Sequence, residues 1–566
     1  MLVSSLLVFL LLVGGGGVTL AARLDGFSPL VRLSLGVGAT LIGLYLAGLT
    51  LYLTGLDWHW LWIWPAVMAG LSWSGRHQIR QYLSEPMVLA CIVGWTCLAL
   101  WSLGLQALIF SYSGGIWAID WVEHYERAMF FVNRWPTDHI FVANYLLPAR
   151  PPLANVVEAS VLALTSTHFA QYQIVTTLLG TLVFLPMAAL TQLRGPAPRA
   201  LGLLVLLLML SPLFAQNATF AWTKLPAAFF VLLAAALIFS QPAHPARLTW
   251  IMISLTGGIL THYSVAPWVI ALGCGWLATR DWSRLDTAQR RDLVRGGIWA
   301  GVLALTWFGW MAFALGPEQL IFATSTFGQA PGQGWLHQLS ILLTNTRQSI
   351  VPNFDSPEGG LLLGQTEILG RIRDAAFVYY QTNLLLTFGV GNLCVLGWLA
   401  FRQTPGDTRR FWLVTGSVAV LTGIGVHSQP NALGLAHICL QPLVLLGLVW
   451  LARCAETAPR WLRILWIAGL VTDFLLGIVL HFGLQSLALL RWLMPDNTDG
   501  ERVYTLSRYA LVNLRNKAQL GQPFLADLLD NWHPFIMAGL AGVLLLTIWR
   551  WRQAGHPASG PGSGQS

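Results

Sequence analysis

Lysine is almost missing from this chain: of its 32 basic residues only Lys224 and Lys517 are lysines, and the rest are arginine. Charge of either sign is scarce as well, at 10% of 566 residues, against roughly 25% in a soluble domain. With 55% hydrophobic residues and 28 Trp, that scarcity excludes an ordinary soluble protein and points to an integral membrane protein. No dense basic run with interleaved aromatics occurs, so nucleic acid is not expected as a partner. Arginine-rich loops on one side of a bilayer explain the net charge of +8 better. The six cysteines lie mostly inside apolar segments without C-x-x-C spacing, which excludes a cysteine metal site and a disulfide framework. The apolar N-terminus lacks a preceding basic region, since Arg23 follows it, so it reads as an uncleaved first span.

What is present is a succession of apolar runs of the length a membrane helix needs, roughly 20 residues. About fifteen are expected, near 2–22, 32–55, 58–74, 87–112, 157–192, 199–216, 225–240, 248–262, 264–279, 296–315, 376–401, 411–427, 435–453, 463–490 and 535–550. The expected fold is therefore an all-α polytopic membrane protein. The run 157–192 is long enough to hold an interfacial helix before its span. If the break with Arg76 and Arg80 is cytoplasmic and the sides alternate, 20 of the 32 basic residues fall inside, mostly in short loops. The same register puts 113–156, 316–375 and 491–534 outside, together with most of the acids. Segment 491–534 is too short and polar to hold its own core and should pack on the bundle, and the tail beyond 554 reads as disordered.

The outer stretch Trp117–Asn155 gathers acids, bases and prolines that the chain otherwise lacks. A helix from about Trp117 to Phe131 would set Asp120, Glu123, His124 and Arg127 at i, i+3, i+4 and i+7, with Trp121, Tyr125, Ala128 and Met129 on a flank. That is the pattern of an interfacial helix with one side in lipid headgroups and the other offering polar groups to water. Glu123 and Arg127 can also simply pair at i, i+4. The following Arg150-Pro151-Pro152-Leu153 sets the angle at which the chain returns to the bilayer, because two prolines fix the backbone and start a helix well.

The acidic helix after an early span and the Arg-Pro-Pro-Leu element resemble the GT-C glycosyltransferases. Among these the pattern is similar to the protein mannosyltransferases and the lipid A aminoarabinose transferases, over roughly residues 87–280. Those enzymes carry an adjacent Asp-Glu pair and commonly a lysine where this chain has Asp120, Glu123 and Arg150. The resemblance implies a GT-C-like bundle with an interfacial helix in a large outer loop. It also implies transfer of a sugar from a polyprenyl-phosphate donor, on the periplasmic face of a bacterial inner membrane, to an acceptor that is protein, lipid or glycan.

Such transfer needs a base to activate the acceptor and cations to steady the leaving phosphate. Asp120 is the expected base, with Glu123 either orienting the acceptor or taking that role. His124 could hold Asp120 or a metal, Arg127 could offer its guanidinium to a substrate, and Arg150 could touch the phosphate. Lys224, at the outer start of a span, and Arg371 and Arg373 are rival phosphate ligands. The resemblance implies that His262 and Tyr263 line the same cavity. Some relatives use a divalent cation and others none; with no clear ligand cluster, no metal or cofactor is expected here.

The expected organisation is thus extra N-terminal spans over 1–86, a catalytic core over 87–490, the outer segment 491–534, and a last span with a tail over 535–566. Two alternatives share parts of the pattern. An O-antigen polymerase or ligase would rely on late outer loops, for which 316–375 and Arg347 are available. A flippase of lipid-linked sugars would favour polar or broken helices at mid-membrane.

Overall fold

The structure, a computed structural model, describes residues 2–112, 120–193, 197–240, 244–279, 286–324, 334–350, 380–381, 383–402, 406–425, 433–484, 486 and 516–554. Among these residues no strand occurs, and a single bridge between Phe141 and Tyr145 closes a loop. Helix is what a membrane-embedded backbone must form to satisfy its own amide and carbonyl groups.

Eight described helices are long and apolar enough to cross a bilayer: Val3–Ala21, Pro29–Thr54, Pro86–Gln106, Phe169–Thr191, Thr287–Leu315, Leu440–Thr457, Arg460–Val479 and Asp530–Gln553. Shorter apolar helices, among them Lys224–Phe239 and Tyr263–Thr279, lie between them. The chain is an all-α, multi-pass membrane protein. The run expected near 199–216 is a broken pair, Pro198–Leu210 and Pro212–Thr219, bent by 70°. Pro212 cannot continue the first helix, and Ser211 caps the second by accepting from the Phe214 amide at 3.4 Å. The long run at 157–192 likewise divides, into Leu153–Leu164 and the span Phe169–Thr191.

Helix length separates two faces of the molecule. Pro86–Gln106 has 21 residues, which at 1.5 Å each is about 30 Å, a bilayer's hydrocarbon thickness. The short basic helix Arg76–Ser84 precedes it, and the acidic helix Asp120–Asn133 follows it. Tyr52, near the end of Pro29–Thr54, joins the acidic face by donating to the Trp135 carbonyl at 3.0 Å. Arg23 closes the basic face by donating to Ser74 Oγ at 2.7 Å and to the Leu71 carbonyl at 2.6 Å.

Late chain reaches back to the acidic face. The Phe169 amide donates to Gln522 Oε1 and the Leu525 amide to Gln173 Oε1, both at 2.7 Å. Phe524, fully buried, sits within 5.5 Å of the Tyr112, Trp121 and Phe169 ring centres. The described part of 491–534 therefore packs on the bundle, fastened by Lys517, whose ammonium donates to Asp527 at 2.8 Å and to the Phe110 carbonyl at 2.7 Å.

Candidate active site

The acidic helix is described from Asp120 to Asn133, and residues 113–119, with Trp117, lie outside the described residues. It differs from the expected surface-lying helix. Trp121, Tyr125, Ala128 and Met129 are buried, but so are Glu123, His124 and Arg127. The reason is cover on the polar side: the helix packs against Leu153–Leu164, and the loop 141–150 folds over it. Only Asp120, at its first described turn, keeps partial access among the acids and bases of this set; Glu126, half-buried, accepts from the Val142 amide at 2.9 Å and anchors the covering loop.

Glu123 is the centre of a closed ion cluster. Its Oε1 accepts from Arg127 Nε at 2.9 Å and its Oε2 lies 3.3 Å from the Arg150 guanidinium. Burial pushes this carboxyl up, but Arg150 and Arg127 together outweigh burial and hold it below the usual range. Arg127 spends its other nitrogens on the Leu147 and Leu146 carbonyls, at 2.9 and 3.1 Å, with its guanidinium 4.2 Å from the centre of the Phe141 ring. Every nitrogen of this guanidinium is thus engaged within the protein, and its work is to clamp the loop that carries Arg-Pro-Pro-Leu. As expected from its prolines, that element starts a helix, Leu153–Leu164, directly after Pro152.

Asp120 sits in a different environment. Its Oδ2 accepts from the Trp222 indole at 3.1 Å. Burial raises its carboxyl, and Arg150 and Lys224 act against the rise without cancelling it. The Lys224 ammonium lies 3.6 Å from the centre of the Trp222 ring, so one tryptophan contacts both the acid and the base through its edge and face. Arg150 spans the two environments. Burial opposes its charge, but Glu123 and Asp120 overcome that and hold its pKa above the ordinary value. Its guanidinium also faces the Tyr145 ring at 5.0 Å, and its buried Nε has no hydrogen-bond partner.

The backbone that delivers Trp222 and Lys224 is strained. After the bent pair the chain turns through Phe220 and Ala221, and Ala221 has φ of 61°, in the left-handed region where a non-glycine residue costs of order 1–3 kcal/mol. The turn aims Trp222 at Asp120 and starts the helix Lys224–Phe239.

The histidines are buried, neutral groups. Burial, reinforced by Arg150, Arg127 and Lys224 against the opposing pull of Glu123, lowers His124 to about 3, and its buried Nδ1 has no hydrogen-bond partner. Contrary to one expectation, no hydrogen bond to Asp120 is formed through that nitrogen. The His262 ring accepts from the Ser264 amide at 3.1 Å through Nδ1, which leaves the proton on Nε2. Tyr263 donates to the Pro148 carbonyl at 2.8 Å and accepts from Trp307 Nε1 at 3.3 Å, so it holds the 147–149 turn. Arg371 and Arg373 lie outside the described residues. Among the described residues no group of three His, Cys, Asp or Glu side chains converges on a metal position.

Asp120, Glu123, His124, Arg127, Arg150, Lys224, His262 and Tyr263 therefore come together around one end of the acidic helix. Sequence reasoning missed Trp222, whose indole joins the acid to the lysine; its one signal is its place two residues before a rare lysine. It also missed buried polar groups behind the helix: Asn155, Glu158 and Tyr172 each keep a buried oxygen without a hydrogen-bond partner.

Neither protein-family models nor curated proteins give a match to this chain. Among solved structures, it is similar to the crystal structure of ArnT from Cupriavidus metallidurans bound to undecaprenyl phosphate. That similarity has a TM-score of 0.46 and 14% identity, and covers 83% of this chain and 78% of the other. The apo structure of the same protein matches with a TM-score of 0.44 and 18% identity, over 82% and 75% of the two chains.

Proposed function

We propose that this chain is a membrane glycosyltransferase of the GT-C kind, which takes a sugar from a polyprenyl-phosphate donor at the outer, periplasmic face. The observation that carries the reading is the pairing of one accessible, charge-poised carboxylate, Asp120, with two cations that flank it, Arg150 and Lys224. A base and a phosphate clamp are what such a transfer requires. Asp120 takes the proton from the acceptor hydroxyl or amine as that atom attacks the anomeric carbon. Its raised pKa suits this, because a carboxylate at the bottom of its usual range is a poor base near neutral pH. Arg150 and Lys224 receive the phosphate as the bond to the sugar breaks.

Glu123 serves the same chemistry indirectly. Fully buried and with its pKa held down by Arg150 and Arg127, it is a poor base, and its charge holds Arg150 in position. His124 and His262, buried and neutral at physiological pH, stand beside these groups and contribute no positive charge. Tyr263 and Arg127 hold the loop that brings Arg150 to the donor. The sequence resemblance supports the donor class, and the site chemistry leaves the acceptor as any molecule with a reactive hydroxyl or amine.

The test is release of sugar from a polyprenyl-phosphate donor by the full chain in liposomes, with Asp120→Asn beside the parent protein. The reading expects a loss of about 10²–10⁴-fold in rate with the protein still monodisperse and folded. Undiminished turnover by Asp120→Asn would remove Asp120 as the base.

A further inference from the structure

A second feature lies on the opposite face from the acidic helix. A cavity of about 800 Å³ runs among the first span, Pro29–Thr54, the basic helix Arg76–Ser84, Pro86–Gln106 and Phe169–Thr191. Its size is near the upper end of ligand sites, roughly 300–1,000 Å³. The walls are mostly apolar, with Val13, Val37, Ile92 and Leu185 among them, and Arg76 and Arg80 also line it.

Two details separate this cavity from loose packing. The first is the glycine run Gly14–Gly17. A Cβ on Gly17 would lie 2.6 Å from Val37 Cγ2 and one on Gly16 would lie 3.0 Å from the Thr40 side chain, so these two glycines allow close helix contact. Gly14 and Gly15 instead line the cavity, where an added Cβ meets nothing nearer than 3.8 Å. They belong to a π-helical turn, Leu10–Gly15, a local widening often found at functional positions. Their missing side chains are volume in the cavity.

The second detail is the state of the arginines. On this face Arg23 is engaged by the Leu71 carbonyl and Ser74, and Arg32 donates to the Ala21 and Ala22 carbonyls, both at 2.9 Å. Arg76 only stacks on Trp73, 5.2 Å from the ring centre. Among the described residues neither Arg76 nor Arg80 has a carboxylate partner or a hydrogen bond of its own. Spaced i, i+4 on the helix Arg76–Ser84, they are neighbours on one face and line the same apolar slot.

We propose that this cavity is a binding site for an anionic glycerophospholipid. Arg76 and Arg80 take the headgroup phosphate, for which guanidinium forks are well shaped, and an acyl chain lies along Gly14, Gly15 and Ile92. An anionic headgroup is selected over a zwitterionic one because two arginines face it with no acid between them. The site does not depend on the chemistry proposed for the acidic face.

Native mass spectrometry of the full chain, delipidated in detergent and then given either phosphatidylglycerol or phosphatidylcholine, tests it. One phosphatidylglycerol is expected to be retained per chain, with a preference of roughly 30-fold from two arginines at a membrane surface. Arg76→Gln with Arg80→Gln should bring the two lipids to near parity. Gly14→Leu, which fills the slot from a different element, should weaken both. Equal retention of the two lipids by the parent protein would overturn the proposal, and this needs no variant. So would unchanged retention in Gly14→Leu, or displacement of phosphatidylglycerol by an equimolar polyprenyl phosphate.

Discussion

Asp120 and Glu123 are one helical turn apart, and the regions around them treat a carboxylate in opposite ways. Around Glu123 the protein supplies two arginines at 2.9 and 3.3 Å, closes a loop over them and lowers the acid's pKa. Around Asp120 it supplies an indole hydrogen bond from Trp222 and two cations, Arg150 and Lys224, whose pull does not cancel the rise in pKa that burial causes. A carboxylate is thus a structural counter-ion in one place and, in the proposed function, the reactive group in the other. The difference comes from the neighbours rather than from the helix: the 146–150 loop closes on Glu123, and the turn before Lys224 brings Trp222 to Asp120.

This contrast can be broken most severely at Glu123. Glu123→Gln leaves Arg127 and Arg150 buried without their counter-charge, and breaking a buried pair typically costs about 3–5 kcal/mol. The expected result is poor folding yield and a lowered midpoint in thermal unfolding, whereas Asp120→Asn should not lower that midpoint. Equal stability losses in the two variants would erase the distinction drawn here.

A second, smaller effect concerns the cation shared by both regions. Arg150→Lys keeps a charge but loses the planar fork that reaches Glu123 and Asp120 together. Sugar-release rate should fall by about tenfold or more, since one lost charge-assisted bond is worth about 1.5–3 kcal/mol, and donor affinity measured by competition should fall with it. Lys224→Met should weaken donor binding while sparing the unfolding midpoint.

Acidity sharpens the comparison further. Glu123 has its pKa lowered by folding, so its contribution to stability is present above the unfolded value of 4.5 and is lost as pH falls through the lower folded value. Asp120 has its pKa raised, so it favours the folded state at low pH, and that contribution is lost as pH rises from the unfolded value of 3.8 through the folded one. In unfolding scans across pH, Asp120→Asn should therefore gain on the parent as pH rises. Activity should climb over the same interval as the base loses its proton.

The smallest expected effect is at Ala221. Replacing it by glycine relieves the positive φ, and the midpoint should shift upward by no more than the equivalent of about 1 kcal/mol. A fall would mean that the alanine methyl packs in a way that outweighs backbone strain.

Much of this arrangement was legible in the sequence because a membrane chain makes charge conspicuous. Asp120, Glu123, His124 and Arg127 stood out by spacing, and Lys224 by being one of two lysines. Their division of labour was not legible, since it depends on Arg150 and the 146–147 carbonyls arriving from a loop some twenty residues on. Trp222 was hidden among 28 tryptophans. Glu158 was hidden as a lone acid in an apolar run, and only its buried position in Leu153–Leu164 makes it visible. The broken pair at Ser211 was read as one run because hydropathy continues across Pro212 while the backbone does not.

The bonds that the Phe169 amide donates to Gln522 and the Leu525 amide to Gln173 join parts of the chain 353 and 352 residues apart. During synthesis the acidic helix leaves the ribosome long before the segment that walls it in. Such distant contacts form late in folding, so the site should remain open-sided until the last span has been inserted. A chain halted before residue 516 should then integrate into the bilayer, expose the acidic helix to added protease, and fail to turn over donor.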